Sequence, residues 1–173
     1  HQLDALPEIL LSYNVYNELG QLVDKKLHST ISTGADAKQS IDYRYNIREW
    51  LSSINNAELA VNSTNDETGD YFGMNLAYHD DLLTGNGTSL QYNGNISAIK
   101  WSVNQGFGTI KAMAYNYAYD QMNRLTGATH KQATTLGTWL TGQFDENGLT
   151  YDLNGNIKSL QRKGDAAVVI DNL

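Results

Sequence analysis

The chain has 173 residues, no cysteine and a formal net charge of −7, with 19 acidic side chains against 12 basic ones. The acidic balance and the scattering of Lys and Arg disfavour nucleic acid as a partner, because phosphate binding requires clustered cations. Without cysteine, a disulfide framework and a thiolate metal site are both excluded. No apolar run approaches the ~20 residues that cross a bilayer, so no membrane span is expected.

A recurring phrase organises the chain from its first predicted strand onward. The phrase has an aromatic residue, Asp or Asn, two variable residues, Gly or Asn, a polar residue, then Leu or Ile. Its first copy, Tyr16-Asn17-Glu18-Leu19-Gly20-Gln21-Leu22, follows a predicted strand over 8–16. The Asp or Asn can hydrogen-bond its own backbone two residues on, and the Gly or Asn tolerates a positive φ. Each copy therefore predicts a strand, a turn and a return strand.

The second copy, Tyr45-Asn46-Ile47-Arg48-Glu49-Trp50-Leu51, follows a predicted strand over 41–45. Glu49 stands where Gly is expected, which leaves the turn geometry of this copy open.

If the chain contains a helix, we expect it in residues 54–61. The loop over 62–70 offers side-chain oxygens to a cation, but it lacks the sixth-position Gly of an EF-hand, so a plain acidic loop is favoured. These oxygens belong to Asn62, Asn65, Asp66, Glu67 and Asp70.

A further alternating strand is predicted at 71–78, before the segment Tyr78-His79-Asp80-Asp81. This segment is our candidate for a degenerate copy of the phrase. Its His and Asp residues can also be interpreted as metal ligands or as a base with its carboxylate. A solvated strand end is favoured, because consecutive strand residues point to opposite faces. Tyr92-Asn93-Gly94-Asn95-Ile96 is another copy, without the two variable residues.

The strongest strand signal lies at 109–119 and leads into the copy Tyr119-Asp120-Gln121-Met122-Asn123-Arg124-Leu125. One face of this strand carries large side chains and the other small or aliphatic ones. The large set is Thr109, Lys111, Met113, Tyr115, Tyr117 and Tyr119, and the other set is Ile110, Ala112, Ala114 and Ala118. This alternation predicts a sheet that is covered on one face and closely approached on the other.

The cleanest copy, Tyr151-Asp152-Leu153-Asn154-Gly155-Asn156-Ile157, lies between predicted strands at 136–144 and 157–162. Ala167-Val168-Val169-Ile170 predicts a final strand, with which another repeat begins. Apolar residues on the return arms are three apart, as in Ile157 and Leu160. This spacing implies either burial on both faces, which we favour, or a bulge.

Short strands joined by turn signals predict an all-β fold. We expect an array of antiparallel β-hairpins that forms a twisted, curved sheet with little or no helix. No linker divides the chain, so residues 1–173 are expected to be one continuous array, truncated at both ends. An isolated strip of hairpins has two open edges and should tend to pair with a copy of itself.

The phrase, in its copies at 151–157 and 119–125, resembles the YD repeat of RHS-type proteins, which are large bacterial surface and secreted polypeptides. The recurring copies extend the resemblance over most of residues 12–163. It implies a strip of hairpins that winds, in complete family members, into a hollow shell around a variable C-terminal region, often a toxin. It also implies a secreted or cell-surface location, neighbouring repeats as partners, and a non-enzymatic role without a cofactor.

The three tryptophans provide an alternative function. Trp50, Trp101 and Trp139 can act as aromatic platforms for sugar rings, so a carbohydrate-binding β module is the second hypothesis, with a cell-surface glycan as partner. The simpler interpretation is that these rings cover hairpin cores. No Gly-x-Ser-x-Gly motif, phosphate-binding loop or cysteine nucleophile is found, and a hydrolase is the least favoured class.

Overall fold

The computed structural model describes residues 8–83, 88–106, 109–133 and 139–173. Within these ranges the chain is an all-β array of antiparallel hairpins in one twisted, curved sheet of twelve strands. Each strand lies beside the next in sequence, except that β8 pairs with both β9 and β10. The strands are β1 (Leu10–Tyr16), β2 (Leu22–Ser29), β3 (Gln39–Tyr45), β4 (Leu51–Ile54), β5 (Phe72–Ala77), β6 (Ala98–Asn104), β7 (Ile110–Tyr119), β8 (Leu125–Ala133), β9 (Trp139–Thr141), β10 (Glu146–Tyr151), β11 (Ile157–Lys163) and β12 (Val169–Asn172).

The predicted strands at 8–16, 41–45, 71–78, 109–119 and 157–162 are confirmed as β1, β3, β5, β7 and β11. The strand predicted at 136–144 is observed as the short β9, and residues 136–138 lie outside the described ranges. The strand predicted at 167–170 begins later, as β12. In the described part of the chain no helix is long and apolar enough to cross a membrane.

Residues 54–61, where a helix was expected only if the chain contained one, form no helix, because this segment folds into a side-chain-capped turn. Asn56 Oδ1 accepts hydrogen bonds from the backbone N–H groups of Glu58 and Ala60, both at 3.1 Å. Leu59 has a φ of 52°, which a right-handed helix does not allow. The Asn side chain offers the backbone an alternative to helical hydrogen bonding, and here the alternative is stronger.

Burial on both faces, the favoured explanation for the three-residue spacing on the return arms, is wrong. The pairing of β10 with β11 shifts by one residue between Thr150 and Tyr151, and the same shift occurs where the β1–β2, β3–β4 and β7–β8 hairpins leave their turns. One extra residue on the return strand makes a bulge, which brings residues three apart onto one face. Ile157 is accordingly 55 % exposed.

The two faces of the central strands differ, and one is closely approached as the alternation predicts, but the large side chains on the other face are only half buried, so the expected cover over them is incomplete. On one face, Ala77, Ala98 and Ala114 form a small buried cluster with Leu83, and Leu82 and Trp139 pack against it. The backbone of Ala57 also reaches this face, where its carbonyl accepts a hydrogen bond from Ser102 Oγ at 2.5 Å. We call this the small-residue face. The opposite face, the aromatic face, carries the row of side chains of β7 that includes Tyr115, Tyr117 and Tyr119.

The sheet is open and exposes much of its area. The chain has 10706 Å² of accessible surface, whereas a compact monomer of its mass has about 8,400 Å². The side chains of the aromatic face are only half buried along most of β7. A large part of the apolar surface is therefore available for contact with something else.

Candidate functional site

Four copies of the phrase fold into one turn, which we call the phrase turn. In the copy at Asp152, Oδ1 accepts the N–H groups of Asn154 and Asn156, both at 2.8 Å, and the N–H of Asp152 donates to the Asn156 carbonyl. Asn17, Asn46 and Asp120 make the equivalent bonds. The fourth turn residue has a positive φ in each copy: Gly20, Glu49, Asn123 and Gly155.

Asn in place of Asp, and Glu49 in place of Gly, therefore leave the turn geometry unchanged. Both Asp and Asn present an acceptor oxygen at the same place, and this oxygen is what the two backbone N–H groups require. Hydrogen bonding from backbone and side chain lowers the pKa of Asp120 and also of Asp152.

The third hairpin combines two segments that the sequence presents as separate copies. β5 ends at Ala77 and leads into Tyr78, while Ile96 precedes β6 on the return side. Tyr78 is therefore the leading aromatic of this hairpin and Ile96 its return residue, and the residues between them form an insertion. Tyr92 is not a leading aromatic. The long gap between the copies at 45 and 92 is explained by this insertion.

A second device joins one hairpin to the next, and we call it the tyrosine lock. The leading Tyr of each later hairpin donates its hydroxyl hydrogen to the backbone carbonyl of the return residue in the preceding hairpin. The four locks are Tyr45 to Leu22 at 3.0 Å, Tyr78 to Leu51 at 2.9 Å, Tyr119 to Ile96 at 2.8 Å and Tyr151 to Leu125 at 2.6 Å. Burial raises the pKa of Tyr78 and Tyr119, so these hydroxyls stay protonated and can donate.

Arg124 connects a phrase turn to the following lock. Its Nε donates to Asp120 Oδ2 at 2.7 Å, and its guanidinium carbon lies 4.6 Å from the centroid of the Tyr151 ring. The same side chain therefore holds the turn of one hairpin and covers the leading ring of the next through a cation–π contact.

The three tryptophans do not converge on one platform. Trp50 packs on Tyr78, with ring centroids 5.0 Å apart, and a Cβ at Gly94 would lie 3.1 Å from its ring. Trp139 packs against the alanine cluster of the small-residue face. Trp101 lies on the aromatic face, where its ring stacks on Tyr115 at 5.9 Å.

Trp101 belongs to an aromatic row on the half-buried aromatic face, where the segment at Phe144 covers part of the row and accepts the Tyr115 hydroxyl at 3.0 Å. Tyr115 stacks on Tyr117 at 6.0 Å, and His130 meets the edge of Tyr115 at 5.1 Å. Burial lowers the pKa of His130 and raises that of Tyr117 to about 12. Glu146 lines a recess beside Tyr115 and Tyr117, and its Oε1 accepts a hydrogen bond from Arg162 Nε at 2.9 Å. This combination of flat rings and hydrogen-bonding groups is the type that contacts sugars.

The loop over 62–70 contributes two residues to an acidic cluster whose third residue comes from another strand, so the cluster differs from the set of loop oxygens that the sequence suggests. Asp66 and Glu67 lie beside Asp42 of β3, and one carboxylate oxygen of each lies within 4.8 Å of the others. Asn65 and Asp70 instead bond each other at 2.8 Å. Three carboxylates at this spacing have the geometry to hold a cation.

Cationic side chains lie within the same cluster. Arg44 NH2 lies 3.2 Å from Asp42, and Lys26 Nζ lies 3.5 Å from Asp24 and 3.9 Å from Glu67. Burial, followed by the neighbouring carboxyls of Asp66, Asp42 and Asp24, raises the pKa of Glu67 to about 7. The cluster therefore retains a proton on Glu67 at pH values where an exposed glutamate is ionised.

The histidine candidate at 79 is an exposed surface pair. His79 Nε2 lies 3.8 Å from Asp80 Oδ1, and the imidazole stacks on Tyr92 at 5.9 Å. Both side chains are exposed to solvent, in agreement with the interpretation of this segment as a solvated strand end.

The tyrosine locks are the feature that the sequence did not predict. A signal for them exists, because each donor follows its acceptor by 23 to 27 residues. This spacing becomes visible only when Tyr78 and Ile96 are assigned to the same hairpin. No family model matches the chain, and no curated protein matches it significantly.

Proposed function

We propose that this chain is a non-enzymatic structural segment of an RHS-type repeat protein. In this role its hairpins form part of a β shell that contains and delivers a C-terminal toxin or effector at the cell surface or outside the cell. The observation that carries the proposal is the repetition of the tyrosine lock, which joins five successive hairpins by one hydrogen-bond geometry.

The chemistry of the repeat supports a structural role. The Asp and Asn side chains of the phrase use their oxygens on their own turn, and the lock tyrosines use their hydroxyls on a neighbouring backbone. These groups hold the register of an array in which each unit contacts only its neighbours. A continuous sheet of twelve strands, in which each hairpin pairs with the next, also has the form of part of a wall.

Protease protection tests this proposal. Three copies of residues 8–173 joined in tandem ahead of a protease-sensitive reporter should slow digestion of the reporter at least tenfold relative to the free reporter. Replacing Tyr45, Tyr119 and Tyr151 by Phe in every copy should remove the protection, whereas Tyr71→Phe, at an exposed ring, should keep it. Digestion of the tethered reporter at the free rate would refute containment.

A carbohydrate-binding module is the second candidate, and the aromatic row favours it. Trp101, Tyr115 and Tyr117 form consecutive ring contacts on the half-buried aromatic face, beside the hydrogen-bonded pair of Glu146 and Arg162. Stacking on a sugar ring needs accessible ring faces together with polar groups at their border, and these three rings are half buried, so part of each remains accessible.

A glycan array with single Trp→Ala variants separates the two candidates. If the second candidate is correct, Trp101→Ala abolishes binding to a glycan while Trp50→Ala and Trp139→Ala retain it, because those two rings pack within the array. Absence of binding by the unmodified chain to every glycan would exclude the carbohydrate module and leave the structural role unaffected.

A further inference from the structure

Each phrase turn exposes one large aliphatic side chain at a variable position of the phrase. Leu153 is 105 % exposed, Ile47 98 %, Leu19 72 % and Met122 71 %, and we call these four the tip residues. Apart from Leu173, no other large hydrophobic side chain of the described ranges is as exposed. The turn itself does not require them, because its hydrogen bonds come from Asp or Asn and from the backbone. Single exposed aliphatic residues are ordinary, but recurrence at one place of a repeat indicates a contact surface.

The antiparallel order of the sheet places all four tip residues along one line, the tip row. Consecutive strands run in opposite directions, so the turns after β1, β3, β7 and β10 lie at the same end of the strands. Neighbouring strands are about 4.8 Å apart, so the turns of adjacent hairpins are separated by about 10 Å. Arg48 NH1 donates to the Tyr92 carbonyl at 3.1 Å, which ties one turn to the next hairpin, and Arg124 does the same through the Tyr151 ring. Further hairpins on either side would lengthen this row and cover none of its members.

The area of the tip row indicates what it contacts. Burial of one aliphatic side chain removes roughly 60–120 Å² of apolar surface from water, so four tips offer at most about 500 Å². A stable contact between two proteins buries about 800 Å² on each partner. Four points about 10 Å apart do not make such a patch, whereas the fluid border of a bilayer closes around each point separately. The tip row therefore suits a lipid surface better than a protein.

The charges beside the tip row indicate the kind of lipid. The four copies that fold into the phrase turn carry four acidic side chains and only two basic ones, Arg48 and Arg124. Both are engaged within the array, since Arg48 lies 5.2 Å from the centroid of the Trp50 ring and Arg124 pairs with Asp120. Anionic lipids are held by clusters of Lys and Arg, and this end of the strands has none. Headgroups without net charge are the ones that fit it.

We propose that the tip row docks on the surface of a zwitterionic lipid bilayer. The tip residues insert among the upper parts of the acyl chains, while the polar groups of the turns stay among the headgroups. Docking of this kind needs no membrane span, and the tyrosine locks hold adjacent hairpins at the spacing at which neighbouring tips insert together. The inference goes beyond the containment role and depends on the phrase turns alone.

Flotation of the 173-residue chain with phosphatidylcholine vesicles tests the inference. The chain should float with the vesicles, and high salt should not release it, because salt screens charges and not apolar contacts. Ile47→Ser combined with Leu153→Ser should weaken binding at least about tenfold, the loss expected when two aliphatic anchors are removed. The matched control combines Ile31→Ser with Val61→Ser, at exposed aliphatic residues of the loops at the opposite end of the strands, and should bind like the unmodified chain.

The contrary results are equally specific. A chain that stays out of the floating fraction would refute docking on lipid, and equal binding by the tip variant and the loop variant would show that the tip row is not the contact. Stronger binding to vesicles with phosphatidylserine, reversed by salt, would overturn the assignment to zwitterionic headgroups. Self-association without lipid that the tip variant abolishes, measured by sedimentation velocity, would show that the row binds a second copy and would overturn the proposal. The containment role would fall only with the reporter experiment.

Discussion

At position 49 a glutamate occupies the place in the phrase turn that requires a positive φ. Its φ is 63°, close to that of Asn123 in the equivalent turn. A residue with a Cβ pays about 1–2 kcal/mol for this left-handed backbone, whereas Gly adopts it readily but loses more entropy on folding. We therefore expect Glu49→Gly to raise the free energy of unfolding by about 0.5–1 kcal/mol, as measured by urea denaturation.

Glu18 provides the matched control for this substitution. It is also an exposed turn glutamate, but its φ is not positive. Glu18→Gly should lower the free energy of unfolding by about 0.5–1 kcal/mol, since only the entropic cost of Gly remains. Equal effects at the two positions would show that backbone strain at Glu49 contributes nothing.

The raised pKa of Glu67 in the acidic cluster predicts that the free energy of unfolding depends on pH. Burial raises this pKa to about 7, above the ordinary value of 4.5. A group with a raised folded pKa contributes stability that is complete below its unfolded pKa and is lost as pH rises through the folded one. Between about pH 4.5 and pH 7 the protonated Glu67 should therefore become progressively less stabilising.

Glu67→Gln isolates this contribution, because the amide resembles the protonated acid and does not titrate. We expect the variant to be similar to the unmodified chain at pH 5 and more stable than it at pH 8, in urea denaturation at both values. The lowered pKa of His130 adds stability as pH rises, which opposes the trend from Glu67. Because His130 is present in both proteins, its contribution cancels when their free energies of unfolding are subtracted. A difference that does not change with pH would contradict the assignment.

At the scale of the element, the phrase predicts the hairpins because its turn depends on local groups. Asp152 and Gly155 form their turn from hydrogen bonds and a φ value that adjacent residues determine, so sequence alone identifies it. Residues 54–61 form no helix for a similarly local reason, since Asn56 caps a turn there without a leading aromatic. The three-residue spacing on the return arms required a bulge, which the pairing partner determines.

β5 and the turn at Asn56 approach each other closely at Gly73, which has no side chain. A Cβ at Gly73 would lie 1.8 Å from the Asn56 carbonyl oxygen. Gly73→Ala should therefore separate the turn from the small-residue face and cost about 3 kcal/mol or more, measured by thermal unfolding. Gly127→Ala is the control, since its Cβ would meet nothing nearer than Asn147 Oδ1 at 3.3 Å. Similar losses of stability in both variants would mean that the close approach of the Asn56 carbonyl to Gly73 does not explain the effect of the substitution.

At the scale of the whole molecule, the sheet order follows from the chain order, whereas the functional groups depend on contacts between hairpins. The difference between the two faces of β7 was predictable from its alternation, whereas the partial exposure of the aromatic face was not, because a covering layer was expected there. The locks were not, because each joins residues more than twenty positions apart and one hairpin contains an insertion after Tyr78. The acidic cluster required the loop at Asp66 to fold back onto Asp42, which no local pattern encodes.

An array of this kind transmits stability only through its neighbour contacts, so the lock between the third and fourth hairpins should control cooperativity. Tyr119→Phe leaves the half-buried carbonyl of Ile96 without its donor and should cost about 1–3 kcal/mol. Hydrogen exchange should then rise first on both sides of this junction, in β6 and β7, and the urea transition should broaden as the two halves unfold separately. Tyr71→Phe should leave both measurements unchanged. A uniform rise in exchange along the whole sheet would instead mean that the hairpins unfold as one unit and that the locks add stability without setting its boundaries.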